Sequence, residues 1–344
     1  MIWLTWRQFR TQAVAVWALV AAFGLLLLVT GPHLVTLYRD SSFAACHSNC
    51  GEAAGNFLNQ LANDPPYHTV YLLGALLIIL LPAVIGLFWG APLLARELES
   101  GSFRLAWNQS VTRERWLAVK LGVLGLASMA VAGLLSLILG WWASPIDNAA
   151  GLAGTGGFQS RFFPLDFGTR GIAPIGYAAF AFVLGVLVGL MFRRTVLAMG
   201  ITLAVLVAVQ IAFPMVVRPH LITPVRETTA LTAANIQGLG INQDGQLQNV
   251  FAQAPSVPGA WIISSQVTTS SGSTALGTVP QACQSQQGPN ACFSALAQKN
   301  LKQAVVYQPA NRYWTFQWIE TGIYLTVAIL LAWGCFWWVR RRLS

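Results

Sequence analysis

Six long apolar runs dominate the pattern of the chain, at residues 13–36, 70–94, 116–142, 172–192, 196–217 and 321–339. Each is long enough to cross a hydrocarbon core, which takes about 20 apolar residues in a helix. Lipid offers no hydrogen-bond partners, so the backbone of each run must satisfy itself, and within a single segment only a helix does so. Pro82 and Pro92 fall in the second run and Pro214 in the fifth. They predict local kinks, because a proline removes one backbone donor and frees a carbonyl one turn earlier. Ahead of the first run, Ile2, Trp6, Phe9 and Ala13 recur at helical spacing, with Arg7 and Arg10 off that face. This predicts a short helix lying in the membrane interface before the first span.

The segments between runs are of two kinds. Three are long and polar: 37–69, 143–171 and 218–320. The last is rich in Gln, Ser, Thr, Gly and Asn and large enough for a small domain. Phe251, Trp261, Ile262, Ile263 and Val267 give it something to bury. Residues 264–278 read as loop or edge strand, and 290–306 carry a helical apolar pattern at Phe293, Leu296, Leu301 and Val305. The expected fold is therefore an all-α polytopic membrane protein with six transmembrane helices and an interfacial N-terminal helix. A small α+β extracytoplasmic domain is expected between spans five and six. The expected division is 1–217 for spans one to five, 218–318 for that domain, and 319–344 for the sixth helix and a basic C-terminus.

Composition and charge sharpen this picture. Charged residues are only 9% of the chain and hydrophobic ones 55%, where soluble domains carry about 25% charged. Lipid is the default solvent. The net charge of +9 does not point to nucleic acid, because the basic residues form no single patch. They sit beside the apolar runs: Arg7 and Arg10; Arg96, Arg104, Arg113, Arg115 and Lys120; Arg193 and Arg194; Arg340, Arg341 and Arg342. The positive-inside rule puts these segments and both termini in the cytoplasm and the three long connections outside. The first apolar run exceeds the roughly 7–15 residues of a signal-peptide core, so a cleavable leader is not expected. Aromatic residues mark the same boundaries: Trp3, Trp6, Trp116, Trp333, Trp337 and Trp338 near the inner surface, and Tyr38, Tyr67, Trp141, Trp142, Trp314 and Trp318 near the outer one, where they read as interfacial anchors.

Cys46 and Cys50 lie in the first outside connection, Cys283 and Cys292 in the large one, and Cys335 alone in the last span. Two even groups in an oxidising compartment suggest disulfides, with the local pairs as the simplest connectivity and cross-pairing left open. Cys46, His47 and Cys50 offer at most three metal ligands and no nearby fourth, so no metal site is expected.

The chain lacks a Gly-x-x-x-x-Gly-Lys-Ser/Thr loop and so cannot itself be an ATPase; His-Glu-x-x-His and Gly-x-Ser-x-Gly are absent too. No catalytic residues and no cofactor are expected in this chain. His33, His47, His68 and His220 are isolated near the outer face. The span interiors hold essentially no ionisable side chain; Lys120 and Glu320 sit near span ends. Ion-driven transporters need buried acids or histidines to carry the coupling charge. A membrane machine without them is passive or is driven by a partner. The alternative is a membrane sensor or scaffold that presents an extracytoplasmic ligand-binding domain.

One basic-side stretch has structure of its own. Between the second and third runs, a charged helical extension ends near Gly101. A short segment with Phe103, Leu105 and Trp107 follows, and Ser110 or Thr112 can cap a helix that runs into the third span. This stretch resembles the ABC type-2 exporter permease family, in which the second span is followed by an acidic residue, a Gly, an apolar helix, a Ser/Thr turn, basic residues and a Lys. Glu99, Gly101, Leu105, Ser110, Thr112, Arg113 and Lys120 match that order. The segment Tyr307-Gln308-Pro309-Ala310-Asn311-Arg312-Tyr313-Trp314, with Phe316, Gln317 and Glu320 after it, is also similar to bacterial permeases of this class.

The resemblance implies a multi-pass protein of a bacterial plasma membrane, working as a homodimer or paired half. A separate ABC ATP-binding subunit, which holds the ATP and Mg, docks on an elbow built from Glu97, Glu99, Gly101, Phe103, Arg104, Leu105, Ser110, Thr112 and Arg113. It also implies a midline cleft lined mostly by spans two and five, with Phe88, Gln210 and Phe213 as candidate lining residues. Uncharged spans favour an amphipathic or hydrophobic cargo, since an apolar path cannot replace the hydration of a small ion.

Overall fold

The computed structural model describes residues 2–48, 50–101, 112–153, 157–233, 236–242, 246–252, 257–269, 273, 278–283 and 289–342. Packing divides the chain into two compact units, Met1–Leu221 with Tyr313–Ser344, and Ile222–Arg312. Arg218, Gln317 and Trp318 thus belong to the first unit.

The first unit is helical. Among the described residues, six helices are long and apolar enough to cross a membrane: Ala13–Asp40, Pro65–Ser100, Arg113–Trp142, Ala173–Phe192, Thr195–His220 and Ala310–Arg341, here spans 1 to 6. The chain is a multi-pass membrane protein, as the hydropathy pattern requires. Residues 2–12 are helical, but no break separates them from span 1: Ile2–Asp40 is one continuous helix. Wide helical turns lie near the prolines of spans 2 and 5, where kinks were expected. A π-helical segment, Ile85–Gly90, lies between Pro82 and Pro92, and another, Phe213–Val217, contains Pro214. Widening the turn accommodates the missing donor without ending the helix.

Span 4 is the centre of this unit. In its most apolar stretch 78% of residues are buried, against 17% to 39% in the other spans. A helix that is apolar all round, rich in Gly and Ala, suits that position. Its small residues let backbones touch. A Cβ on Gly185 would lie 2.5 Å from the Gly86 carbonyl oxygen and 2.7 Å from the Ala91 nitrogen, and one on Gly90 would lie 2.5 Å from the Phe182 oxygen. Gly86 and Gly90 on span 2 face Gly185 and Gly189 on span 4 in the small-residue crossing that packs helices in lipid. Three short helices, Gly51–Ala62, Ser144–Ala150 and Pro164–Phe167, join the spans at the end opposite the basic segments.

Two tryptophans read as interfacial anchors are core residues instead. Trp116 and Trp142 are each 2% exposed. The Trp142 indole donates to Thr30 Oγ1 at 3.0 Å, and Lys120 Nζ sits 4.8 Å over the Trp116 ring. Their polar interactions are satisfied inside the bundle, so they have no need of the headgroup layer. Trp141, Trp314, Trp318, Trp333 and Trp337 remain exposed.

The second unit combines strands and a helix. β1 (Val225–Ala230), β5 (Lys302–Gln308) and β4 (Trp261–Thr268) form an antiparallel sheet in that order, and β2 (Ile236–Ile241) pairs with β3 (Leu247–Ala252) as a hairpin. The helix expected over 290–306 is shorter, Pro289–Ala297. Asn300 turns the chain with a φ of 50°. The β-branched pair Val305–Val306 then lies in the central strand, bonded to neighbours on both sides. Pairing on two edges outweighs the helical spacing of Leu301 and Val305. The core here holds Leu231, Ile236, Leu247, Val250, Val267, Val279, Leu296 and Leu301. Disulfides join Cys46 to Cys50 and Cys283 to Cys292, and Cys335 is free and buried.

Candidate functional site

The stretch after span 2 is built by local rules and then tied down by distant ones. Its helix, Ala91–Ser100, ends at Gly101, whose φ of 71° is open to glycine without a Cβ clash. Thr112 starts the next helix, its Oγ1 accepting from the Arg115 amide at 3.3 Å. Both ends match the expectation from sequence. Phe103, Arg104, Leu105 and Ser110 lie outside the described residues.

Distant contacts hold this elbow. Lys120 Nζ donates to Glu97 Oε1, and the two side chains are 5% and 18% exposed. A lysine that deep needs a partner, because desolvation of an unpaired charge is costly. Glu99 points elsewhere. Its Oε2 accepts from the Thr195 hydroxyl at 2.8 Å and from the Thr195 amide at 3.1 Å. Thr195 is the first residue of the helix of span 5, and the Arg194 side chain before it makes no capping bond. Glu99 therefore caps a helix 96 residues away, supplying an anion where unpaired amides want one. Arg340 makes a two-pronged contact with Glu114 at 2.7 and 3.0 Å, fastening the end of span 6 to the start of span 3. Arg96 and Arg115 are exposed.

The other end of the bundle carries a polar knot that sequence reasoning missed. Arg218, in the last turn of span 5, lays Nε on Glu320 Oε2 at 2.8 Å and Nη2 on Oε1 at 2.9 Å. Tyr177 of span 4 donates to the same Oε1, Arg218 Nη1 donates to the Pro164 carbonyl at 3.1 Å, and the guanidinium lies 4.2 Å over Phe167. Gln317, one turn earlier on span 6, accepts from the Ile172 and Ala173 amides at 3.0 and 2.8 Å. It donates to the Phe167 and Arg170 carbonyls. A Cβ on Gly171, where φ is 70°, would strike Gln317 at 2.9 Å. Glu320 was legible only as a residue bordering a span; its partner lies 102 positions away.

A second polar group sits beside it. Arg170 Nε donates to Asp147 Oδ2 at 3.2 Å, and Tyr71 donates to Asp166 Oδ1 at 2.8 Å. Burial pushes the Asp147 and Asp166 carboxyls above the usual carboxylate range, with Arg170 pulling both the other way. His33 is not isolated; its Nδ1 meets the Tyr67 hydroxyl. Among the described residues, no three His, Cys, Asp or Glu side chains converge as a metal site.

The three candidate path residues have different surroundings. Phe88 projects from the exposed face of span 2, at 53% exposure, and Gln210 is half-buried. Phe213 is buried, its ring 5.0 Å from that of Tyr324 on span 6. Spans 1 and 3 enclose an apolar groove lined by Gly24, Leu28, Leu137, Ile138 and Trp141.

A sequence profile described as "ABC-2 membrane transporter related" matches residues 17–218, spans 1 to 5 with the elbow between them. The chain belongs to that family. It is thus a transporter permease subunit, and the elbow and polar knot are parts of a permease. No curated protein and no solved structure matches the chain.

Proposed function

We propose that this permease exports an amphipathic or hydrophobic compound from a bacterial cell, such as a drug, antibiotic, peptide or lipid-like molecule. ATP and Mg are bound by a separate ABC subunit that docks at the elbow, around Gly101, Thr112 and Arg113. Two copies of the permease face each other, and closure of the ATPases rocks them so that a cleft between spans 2 and 5 opens outward. Phe88, Gln210 and Phe213 are the residues we assign to that path. The basic segments and both termini face the cytoplasm, and the second unit, Ile222–Arg312, lies outside.

The observation that carries this proposal is the family match over residues 17–218. Two further features support it. The ends of the elbow are structured, not loose, and a structured element can transmit force. Much of the surface of spans 1, 2 and 5 is apolar, which suits a cargo that enters sideways from the bilayer. The test uses purified permease and ATPase in proteoliposomes, with a panel of dyes, antibiotics and small polar solutes. Hydrophobic compounds are expected to change ATP turnover. Stimulation by a sugar or an inorganic ion alone would reject the export of hydrophobic compounds.

A further inference from the structure

Glu99 belongs to the family-like elbow, yet its carboxylate is engaged within the chain. It accepts two bonds from Thr195, from hydroxyl and amide. We infer that the Glu99–Thr195 contact is the link through which motion of the elbow reaches span 5, so that Glu99 is a positioning residue and not a docking one. The inference rests on the ATP-driven permease proposed above.

Three observations converge on it. First, the elbow helix Ala91–Ser100 extends from the place where span 2 crosses span 4 with backbones in contact, at Gly86, Gly90, Gly185 and Gly189. Such a crossing leaves no room for sliding, so it serves as a fulcrum. That crossing reaches to Ala95, which packs on Gly189, and the helix beyond it is an arm of about 8 Å, at 1.5 Å per residue. Second, the arm carries two polar ties at its far end. Glu97 holds Lys120 of span 3, and Glu99 holds Thr195 of span 5. Third, the helices at the ends of these ties are not equally free. Span 3 buries twelve residues along Arg113–Trp142, whereas Thr195–Ala212 buries only Ala198, Thr202 and Leu206. A push on the arm therefore displaces span 5 before span 3. The tie itself is exposed and short, so it can hold span 5 without locking it into the core.

The test follows two fluorescent labels on the full-length permease reconstituted with its ATPase. Arg96→Cys reports on the arm and Val196→Cys, at 84% exposure, on span 5. The labelling chemistry is clean, because the native cysteines are paired or, for Cys335, buried. ATP with vanadate is expected to shift both labels in the parent protein. In Glu99→Ala the Arg96→Cys label still shifts and the Val196→Cys label loses its shift. Thr195→Val weakens the Val196→Cys response, and Thr195→Ser, which keeps the hydroxyl, preserves it. An undiminished span-5 shift in Glu99→Ala overturns the link. Loss of both shifts with loss of the ATPase from the preparation also overturns it, because Glu99 is then a docking residue. No shift and no bound ATPase in the parent protein would instead refute the ATP-driven permease, and the link with it.

Discussion

Arg218 and Glu320 form a side-on fork, Nε to Oε2 at 2.8 Å and Nη2 to Oε1 at 2.9 Å, with both side chains 1% exposed. The pair fastens the end of span 5 to span 6, and Tyr177 joins span 4 to the same oxygen. Breaking one partner leaves the other buried and uncompensated, at a cost of about 3–5 kcal/mol. Arg218→Met and Glu320→Met are each expected to lower the unfolding temperature in detergent markedly. The double variant Arg218→Met with Glu320→Met is expected to recover part of that loss. Additive losses would mean that the two residues act independently.

The crossing of spans 2 and 4 admits no side chain. Gly185→Ala places a methyl 2.5 Å from the Gly86 carbonyl, and overpacking of this kind costs about 1–3 kcal/mol. Gly122→Ala and Gly200→Ala meet nothing within 4 Å and are expected to be neutral or slightly stabilising. Monodispersity and thermal stability in detergent separate the two outcomes. Equal behaviour of all three variants would argue against the close crossing.

Topology is open to a direct measurement. Arg115→Cys lies on the basic side and Thr228→Cys on β1, both exposed. An impermeant thiol reagent on intact cells is expected to label Thr228→Cys and spare Arg115→Cys. The reverse pattern would invert the orientation read from the basic residues.

The disulfides separate the cysteines chemically. Mapping of unreduced peptides is expected to return Cys46 joined to Cys50 and Cys283 joined to Cys292, with Cys335 alkylated only after denaturation. Rapid alkylation of all five in the folded protein would contradict both the pairing and the burial of Cys335.

Asp166 sets a pH dependence. Burial raises its pKa above the ordinary 3.8 despite the Tyr71 hydrogen bond and nearby Arg170, while Asp147 adds to the rise. The native state then holds this proton more tightly than the unfolded chain does. The resulting stability is complete below the unfolded value and is lost as pH rises through the folded one. Asp166→Asn keeps an acceptor for Tyr71 and removes the titration. Its unfolding temperature is expected to fall less than that of the parent as pH rises out of the acidic range. Parallel curves would show that Asp166 does not titrate there.

Sequence alone determined what depends on the solvent or on neighbours in the chain. Six spans follow from apolar length, because lipid forces each backbone to satisfy itself. The Gly101 terminus, a Ser110 or Thr112 cap and the places of the proline distortions are set within a few residues of themselves, and the two local disulfides were the simplest of the pairings the sequence left open. The helix ending at Ala297 was the exception: the pattern at Leu301 and Val305 fits either a helix or a strand, and only neighbours on both sides made β5 a strand. Tertiary structure alone decided the polar contacts. Glu99 meets Thr195, Arg218 meets Glu320, and Gln317 meets Ile172 at separations of 96, 102 and 145 residues. Each of these polar side chains sits at a span end, where spacing alone reads it as a solvated terminus. What it faces depends on which helices pack together, and in lipid that is decided by where small residues let backbones approach, as at Gly90 and Gly185, not by hydrophobic pattern.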